Sequence, residues 1–403
     1  MPPADALRET IRTLIPGLTA LRHELHAYPE IRFQEHRTSD RVAAWLDAHG
    51  VPHTRGHARG TGIVGLIQGK QDGPTVALRA DMDALEIQEQ TGLPYASTVE
   101  NRMHACGHDG HTTILCGVAA ALAAHRGDLA GTVKLIFQPA EEGAAGGRHI
   151  VEEGHLEGVS AAFALHNWPT HPVGQMAVAS GVVMASADVF DIAVAGRGGH
   201  AADPACGVDP VLAAAHVVTA LQSIVSRNVD PWDAGVVSVT QLHGGTASNI
   251  IPDEVNLQGT FRALRTETRE LLRRRIAEVA RDTAAIFGAT ATVTFGHDGY
   301  PPLHNAPTMA ALAQDVAADC FGPGAVVPVD HPHMTAEDFA FYLEAVPGAF
   351  LFLGNGPGDG ASAPGLHTAT YDFNDDAIPF GVEWMTTIAD RFLRERVAEK
   401  DRA

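Results

Sequence analysis

The chain has 403 residues, 45% apolar and 19% charged, so it is long enough for two domains, and its composition excludes disorder, collagen and coiled coil. The formal net charge is −20, from 48 acidic and 28 basic side chains, which argues against nucleic acid or a membrane surface as the main partner. The 22 histidines are numerous, whereas the four cysteines are few and widely scattered. Because scattered cysteines do not form a disulfide framework, we expect a cytoplasmic protein.

The first part of the chain has the pattern of an α/β domain. The first 30 residues carry charges every few positions with apolar residues at helical spacing, which predicts a helix and not a signal peptide. Short apolar strands then alternate with helices, the strands at 75–80, 132–137 and 161–165 and the helices at 112–125 and 146–154. This alternation predicts a mostly parallel sheet with helices on both faces.

The pattern changes in the middle of the chain. Residues 185–296 read as strand, helix, strand, strand, helix, strand, the order of a ferredoxin-like α+β domain. The α/β pattern then resumes with a helix at 309–321, a strand at 349–353 and a last helix at 378–395. We therefore predict an α/β domain, residues 1–184 and 297–403, that is interrupted by an inserted α+β domain, residues 185–296.

Polar side chains follow the predicted strands of the α/β domain where each strand ends: Asp81 and Asp83, Glu141 and Glu142, His166, and His367. Because ligand sites of open parallel sheets lie outside the carboxyl ends of the strands, we expect these groups to converge. Cys106 precedes the helix predicted at 112–125, and a helix N-terminus lowers the pKa of a thiol. Cys106 is therefore a candidate thiolate ligand.

These residue types favour a particular class of metal. Thiolate, imidazole and carboxylate together suit zinc, manganese, cobalt or nickel, and not magnesium or calcium. Adjacent glutamates in an extended segment cannot both face one ion, so Glu141 and Glu142 divide into one ligand and one base. Cys106 as a catalytic nucleophile is the alternative, but its neighbours favour ligation. The G-x-G-x-x-G of residues 60–65 precedes its strand and does not predict dinucleotide binding.

Several longer motifs carry a family resemblance. The strings DMDAL (81–85), MHACGHDGHT (103–112), FQPAEEG (137–143), GRGGHAADP (196–204) and LHTATYDFND (366–375) resemble the M20 metallopeptidase family. The resemblance is to its amidohydrolase branch, which includes hippurate hydrolases, N-acyl-amino-acid deacylases and plant auxin-conjugate hydrolases. AEDFA (336–340) also matches. One departure is Asp81-Met82-Asp83, where many M20 peptidases have His-x-Asp.

The resemblance implies a binuclear centre in the α/β domain, with two divalent ions, zinc, manganese, cobalt or nickel, per subunit. The implied metal ligands are Cys106, His108, Glu142, His166 and His367. Glu141 would be the general base, and Asp83 would orient the site.

The resemblance also implies that the inserted domain acts as a lid and forms a homodimer or a higher homo-oligomer. His200 would polarise the scissile carbonyl, in cis or from the partner subunit. Asn249 and Arg262 would lie near the substrate's carboxylate, which an arginine binds through two parallel hydrogen bonds.

The expected activity is hydrolysis of the amide bond of N-acyl amino acids, either hippurate-like or N-acetylated. A dipeptidase or carboxypeptidase, and a non-catalytic metal-binding relative, are the alternatives. The remaining histidines, His57 and His155 among them, are expected to have ordinary surface or capping roles.

Overall fold

The computed structural model describes residues 4–297, 299–357 and 363–400, and these divide into two compact units. The first unit contains the described residues of Met1–Gly181, His304–Asp330 and Asp338–Ala403, and the second contains those of Val182–Leu303 and His331–Glu337. His331–Glu337 thus groups with the second unit, although the sequence interpretation placed it within 297–403. Among the described residues, no helix is both long and apolar enough to cross a membrane.

Helices and strands alternate along most of the chain. The helices are α1 (Ala4–Ala27), α2 (His36–Ala48), α3 (His108–Ala124), α4 (Glu141–Ala144), α5 (Gly146–Glu152), α6 (Pro210–Leu221), α7 (Ser223–Asn228), α8 (Thr266–Ile286), α9 (Pro307–Phe321), α10 (Ala340–Ala345) and α11 (Ile378–Lys400). The strands are β1 (His53–His57), β2 (Gly62–Gln68), β3 (Gln71–Asp81), β4 (Ala130–Gln138), β5 (Val159–Pro172), β6 (Met176–Ala177), β7 (Gly181–Met184), β8 (Asp188–Ala195), β9 (Gly199–His200), β10 (Gly235–Gly244), β11 (Ile250–Ile251), β12 (Glu254–Ala263), β13 (Thr290–Phe295), β14 (Leu303–Asn305), β15 (Val326–Val327) and β16 (Gly348–Gly356).

The first unit is built on one large sheet. Its strand order is β1-β2-β4-β3-β5-β16-β6-β15, and the four central strands β4, β3, β5 and β16 run parallel. Helices α3 and α11 pack on β3, and α9 packs on β16. Every residue of β16 is buried, as expected for a strand covered on both faces. The predicted fold class, a mostly parallel sheet flanked by helices, is confirmed.

Two predicted boundaries near the polar residues are wrong. Helix α3 begins at His108, four residues before the predicted start, because Gly107 takes a left-handed conformation (φ 88°) and turns the chain into the helix. Strand β5 continues to Pro172, so His166 lies within the strand and not after it. Cys106 therefore lies two residues before the helix, and His166 projects from a strand.

The second unit has the ferredoxin-like arrangement. Its antiparallel sheet has the order β10-β12-β8-β13, and α6 and α8 pack against it. The Asp209 carboxylate accepts hydrogen bonds from Val211 N and Leu212 N, which starts α6. Phe190 and Phe261 are fully buried in the core of this unit. The predicted strand and helix order of the inserted segment matches this topology.

Candidate active site

The polar residues of the first unit meet at the carboxyl ends of its parallel strands. Cys106 Sγ lies 3.4 Å from His166 Nε2 and 3.3 Å from His367 Nε2. The same His367 nitrogen lies 3.1 Å from Glu142 Oε1. Side chains from β5, from the turn after β4 and from two loops thus converge on one thiol. The convergence expected from the strand ends is observed in the structure.

His108 is oriented by a carboxylate. Its Nδ1 donates to Asp83 Oδ1 at 3.2 Å, and its Nε2 is buried without a hydrogen-bond partner among the described residues. Asp83 also accepts hydrogen bonds from Glu141 N (3.0 Å) and Glu142 N (2.9 Å). A buried nitrogen whose opposite ring N–H is held by a carboxylate has the arrangement of a histidine metal ligand. The donor set therefore fits a divalent ion.

The ligand atoms form overlapping groups in which all members lie within 4.8 Å of one another. Cys106, His108 and His166 form one such group, and Cys106, Glu142 and His367 form another. The two groups share the thiol. The atoms are one cysteine sulfur, imidazole nitrogens and one carboxylate oxygen, which are the types that zinc-like ions prefer.

Both adjacent glutamates face this cluster. Oxygens of Glu141 and Glu142 lie within 4.8 Å of each other and of a His108 nitrogen. The segment is not extended, because Ala140 (φ 57°) and Ala145 (φ 51°) are left-handed and bracket a turn. The argument that adjacent glutamates must face apart is therefore wrong for this segment.

The two glutamates nevertheless differ in their contacts. Asp338 N donates to Glu141 Oε1 at 3.3 Å, whereas Glu142 lies against His367. Glu141 is thus held by a backbone N–H beside the ligand cluster, with 7% of its surface exposed.

The electrostatics of the cluster favour a cation. Burial and the nearby Glu142, Glu141 and Asp81 raise the pKa of the Cys106 thiol well above its usual value. The expected lowering of this pKa by the helix N-terminus is therefore wrong, because burial and three carboxylates outweigh it. A bound cation would reverse this balance, since metal coordination deprotonates a thiol.

The same surroundings shift the pKa values of His108 and His166. Burial lowers the pKa of His108, but Asp81 and Asp83 outweigh it and raise the value to about 10. Burial and His111 hold the pKa of His166 well below its usual value, so that imidazole stays neutral. His166 Nδ1 donates to Asn167 O at 2.7 Å, which leaves Nε2 as an acceptor facing Cys106.

A buried network beside the cluster was not recognised from the sequence. Arg79 donates to Asp81 (2.7 Å) and to Asp338 (2.7 Å), and Gln138 also donates to Asp338. Burial would raise the pKa of Asp81, but His108, His111 and Arg79 lower it well below its usual value. An arginine inside the apolar strand TVALRA and an aspartate in AEDFA were the available sequence signals.

His111 and Asp81 belong to this supporting network. His111 Nδ1 lies 2.6 Å from Asp81 Oδ1, and His111 Nε2 accepts a hydrogen bond from Asn167 N at 3.0 Å. Asp81 Oδ2 accepts from Arg79. Since both of its ring nitrogens are engaged, His111 offers no free ligand atom, and Asp81 is held in place by His111 and Arg79.

The three candidate residues of the inserted segment lie in the second unit. His200 is exposed on β9 and pairs with Ile250 of β11, and Ala201 N donates to Asn249 O at 3.0 Å. His200 and exposed Asn249 are therefore neighbours on one two-stranded ribbon. Arg262 lies half-buried on β12, and burial lowers its pKa despite the nearby Asp188.

Comparisons with known proteins agree with this architecture. Residues 77–391 match the family described as Peptidase family M20/M25/M40. An Arabidopsis thaliana protein named IAA-amino acid hydrolase ILR1-like 5 is 41% identical over 93% of this chain and 86% of its own length. A Bacillus subtilis N-acetylcysteine deacetylase is 40% identical over 92% of this chain and 96% of its own.

A solved structure is similar over nearly the whole chain. It is a Bacillus subtilis protein described as a dinuclear metal binding peptidase from the M20 family, with a TM-score of 0.81 and 36% sequence identity. The match covers 95% of this chain and 99% of that one. The fold, the ligand cluster and these relatives define a metal-dependent amidohydrolase. The chain belongs to peptidase family M20/M25/M40, in its amidohydrolase branch.

Proposed function

We infer that this protein hydrolyses the amide bond of N-acyl amino acids and releases a carboxylic acid and a free amino acid. The observation that carries this proposal is the Glu141 carboxylate, which Asp338 N–H holds beside the Cys106 ligand cluster. Two relatives at about 40% identity are named for cleaving an acyl group from an amino acid. A carboxylate held beside a metal cluster is suited to acid–base work on an amide.

Two divalent ions would fit the overlapping ligand groups. Cys106, His108 and His166 would hold one ion, and Cys106, Glu142 and His367 would hold the other. When bound, such ions supply Lewis-acid activation of water and of the amide carbonyl. Zinc, manganese, cobalt and nickel all suit these ligands, and a solved relative at 36% identity is described as dinuclear.

Glu141 moves the proton in this proposal. Its carboxylate takes a proton from the attacking water and later gives it to the nitrogen of the leaving amine, so its own protonation state is restored. Asp83 supports this step because it accepts the backbone N–H groups of Glu141 and Glu142 and so fixes the turn that carries them. The Asp338 N–H keeps the carboxylate aimed at the cluster.

Residues of the second unit would bind the rest of the substrate. His200 would donate a hydrogen bond to the developing oxyanion, and Arg262 with Asn249 would bind the amino acid's carboxylate. Exposure of His200 and Asn249 supports a role in contacts beyond their own unit. Since the chain has a net charge of −20, attraction of an anionic substrate must come from local cations.

The subunits would pair through the second unit, and the enzyme would work in the cytoplasm. Strand β10 is an edge strand of its sheet, and Leu242 on it and Leu212 on α6 are exposed. Unpaired edges and exposed apolar side chains favour association with a second copy. All four cysteines are free, which suits a reducing compartment.

A substrate panel tests the proposed activity. Acetyl-, benzoyl- and indoleacetyl-amino acids should be hydrolysed by the metal-loaded enzyme, and chelation should abolish the reaction. Simple dipeptides form the comparison set. Faster turnover of dipeptides than of every N-acyl amino acid would reassign the enzyme to the peptidases. Lack of turnover with all substrates, despite bound metal, would favour a non-catalytic relative.

A further inference from the structure

A second cluster of histidine and carboxylate side chains lies in the first unit, apart from the ligands assigned above. His57 ends β1, and Glu153 and His155 follow α5. One nitrogen of each imidazole and one glutamate oxygen lie within 4.8 Å of one another. The amidohydrolase activity gives these three residues no role, and their spacing along the chain did not single them out.

The distances within this cluster match those between the ligands of one small ion. Glu153 Oε2 lies 3.3 Å from His155 Nε2 and 3.8 Å from His57 Nδ1. The two rings are 4.2 Å apart and nearly perpendicular, at 77°. In a tetrahedral zinc site with bonds of about 2.0–2.1 Å, neighbouring ligand atoms lie about 3.3 Å apart. The 3.3 Å edge matches this spacing, the 3.8 Å edge is somewhat longer, and the two imidazole nitrogens lie within 4.8 Å of each other.

His57 is already held in a ligand-like state. Its Nε2 lies 2.7 Å from Thr54 Oγ1 and its Nδ1 lies 3.8 Å from Glu153 Oε2, so the tautomer with the N–H on Nε2 would donate to the hydroxyl and present the Nδ1 lone pair to an ion. Burial and the neighbouring His155 lower the pKa of His57, although Glu153 opposes this shift. The neutral imidazole, which is the metal-binding form, is therefore favoured near neutral pH.

Glu153 supplies a fixed negative charge. Both carboxylate oxygens accept a hydrogen bond from Ala58 N, at 2.9 and 3.0 Å. These bonds hold the turn in which Ala58 (φ 45°) and Arg59 (φ 66°) are both left-handed. Each oxygen retains a lone pair, and 37% of the side chain is exposed, so solvent can complete a coordination shell.

We propose that His57, Glu153 and His155 bind one divalent ion of the zinc type, in addition to the ions of the catalytic centre. Two imidazoles and a carboxylate suit zinc, copper or nickel, and zinc is the ion used in the test below. The ion would connect the edge strand β1 to the segment after α5, because its ligands come from both. The bound ion would thus stabilise the contact between these two segments and would not form a second reaction centre.

Metal counting on matched variants tests this site. The full chain is stripped with a chelator and dialysed against micromolar zinc, and bound zinc per chain is measured by elemental analysis. His57→Gln and His155→Gln should each bind one ion fewer than the parent. His53→Gln is the control, because His53 lies on the same strand 4.0 Å from a single carboxylate, Asp47. The control should retain the full count.

Cobalt(II) absorption distinguishes an ion bound by Cys106 from an ion bound by His57. Cobalt(II) bound by Cys106 gives a thiolate charge-transfer absorption, whereas an ion at His57 does not. The ion that His57→Gln loses should therefore be one without this absorption. If the variant loses the thiolate signal instead, the loss arose at the catalytic centre and the inference is wrong.

A third variant covers the case in which a histidine replacement fails to fold. Glu153→Gln keeps an oxygen that can accept the Ala58 N–H and removes the charge, so it should fold and bind one ion fewer. Equal zinc counts in Glu153→Gln and the parent would overturn the proposal, and so would extra zinc seen only at millimolar concentration. Amide hydrolysis is read separately, so a lack of activity would not affect this result.

Discussion

The two units of the molecule differ in how many of their charged side chains are buried. The first buries arginine, aspartate and glutamate side chains around its ligand cluster, among them Arg79, Asp81 and Asp338. In the described part of the second unit, the buried charged side chains are Asp188 and Glu337, while His200 and Asn249 are exposed. One unit thus holds its candidate chemistry inside, and the other presents it on the surface.

This difference indicates how each unit contributes. Burying a charge is costly unless it is paired, and Arg79 offsets that cost by contacting both Asp81 and Asp338. Backbone strain is added at Ala140 and His367, which are left-handed. The first unit is therefore preorganised for chemistry before substrate arrives. The second unit has its candidate residues His200 and Asn249 exposed to solvent.

The largest expected effect comes from the preorganised side. Glu141→Gln removes the proton acceptor and keeps the shape of the side chain, so kcat should fall by about 10²- to 10⁴-fold. Metal content should be unchanged, because the other cluster residues retain their ligand atoms. Steady-state kinetics together with elemental analysis checks this. Activity within a few-fold of the parent would refute the role given to Glu141.

The next largest effect on activity is expected for His200, an exposed residue of the second unit. His200→Ala should lower kcat by about 10²- to 10³-fold, as loss of an oxyanion donor does. Its effect on unfolding should stay within about 0.5 kcal/mol, because His200 is exposed. His243→Ala, which removes another exposed histidine of the same unit, is the matched control. Equal activities of the two variants would remove His200 from the mechanism.

Alanine substitutions at one glycine in each unit test how tightly the two units are packed. A Cβ on Gly107 would lie 2.2 Å from Asn167 Oδ1, and its φ is 88°. Gly107→Ala should lower the free energy of unfolding by about 2–4 kcal/mol, through strain and overpacking. Gly245, in the second unit, also has a positive φ (77°) but has open space around it.

Gly245→Ala should therefore cost only about 1 kcal/mol, the cost of the backbone conformation. Chemical denaturation of both variants measures the difference. Equal costs would mean that the site around Gly107 relaxes easily and is less preorganised than its contacts indicate.

The last prediction is a pH dependence in the first unit. His26 contacts Asp109 (2.8 Å) and Glu89 (3.3 Å). Burial lowers its pKa, but these carboxylates outweigh burial and the nearby Arg22, and the pKa rises to about 9. A folded-state pKa above the unfolded value of about 6.5 stabilises the protein below pH 6.5, and this stability is lost as pH rises toward 9.

The loss should be on the order of 1–2 kcal/mol between pH 7 and 8.5. Hydrogen exchange of α1 and α3 amides over this range should report it, and His26→Gln should flatten the profile. An unchanged slope in the variant would assign the pH dependence to other groups.

Much of the fold was predictable because its signals are local. Four of the six residues of TVKLIF at 132–137 are apolar, as expected for a strand in a sheet that is covered by helices, and β4 contains that run. The start of α3 was not predictable by periodicity, because residues 108–111 are polar and buried. The left-handed Gly107 marks that boundary, and Asn167 and Tyr371 occupy the space that a side chain at residue 107 would need.

Some features of the candidate site were likewise predictable from the sequence, and others were not. The convergence of Glu142, His166 and His367 was predicted from the order of strands, which is a property of topology, although His166 lies within β5 and not after it. The raised pKa of Cys106 did not, because it depends on how many carboxylates surround the thiol in space. The contact from Asp338 N to Glu141 joins residues 197 positions apart, and local sequence patterns do not predict contacts between residues so far apart in the chain.

The position of β16 has a consequence for the order of assembly during synthesis. This strand lies between β5 and β6 in the sheet, yet it follows the whole ferredoxin-like segment in the chain. His367 comes later still. A nascent chain can complete the antiparallel sheet of the second unit while the large sheet still lacks an inner strand. Under the proposed ligand assignment, the ion that Cys106 shares with His367 can be bound only after residue 367 has left the ribosome.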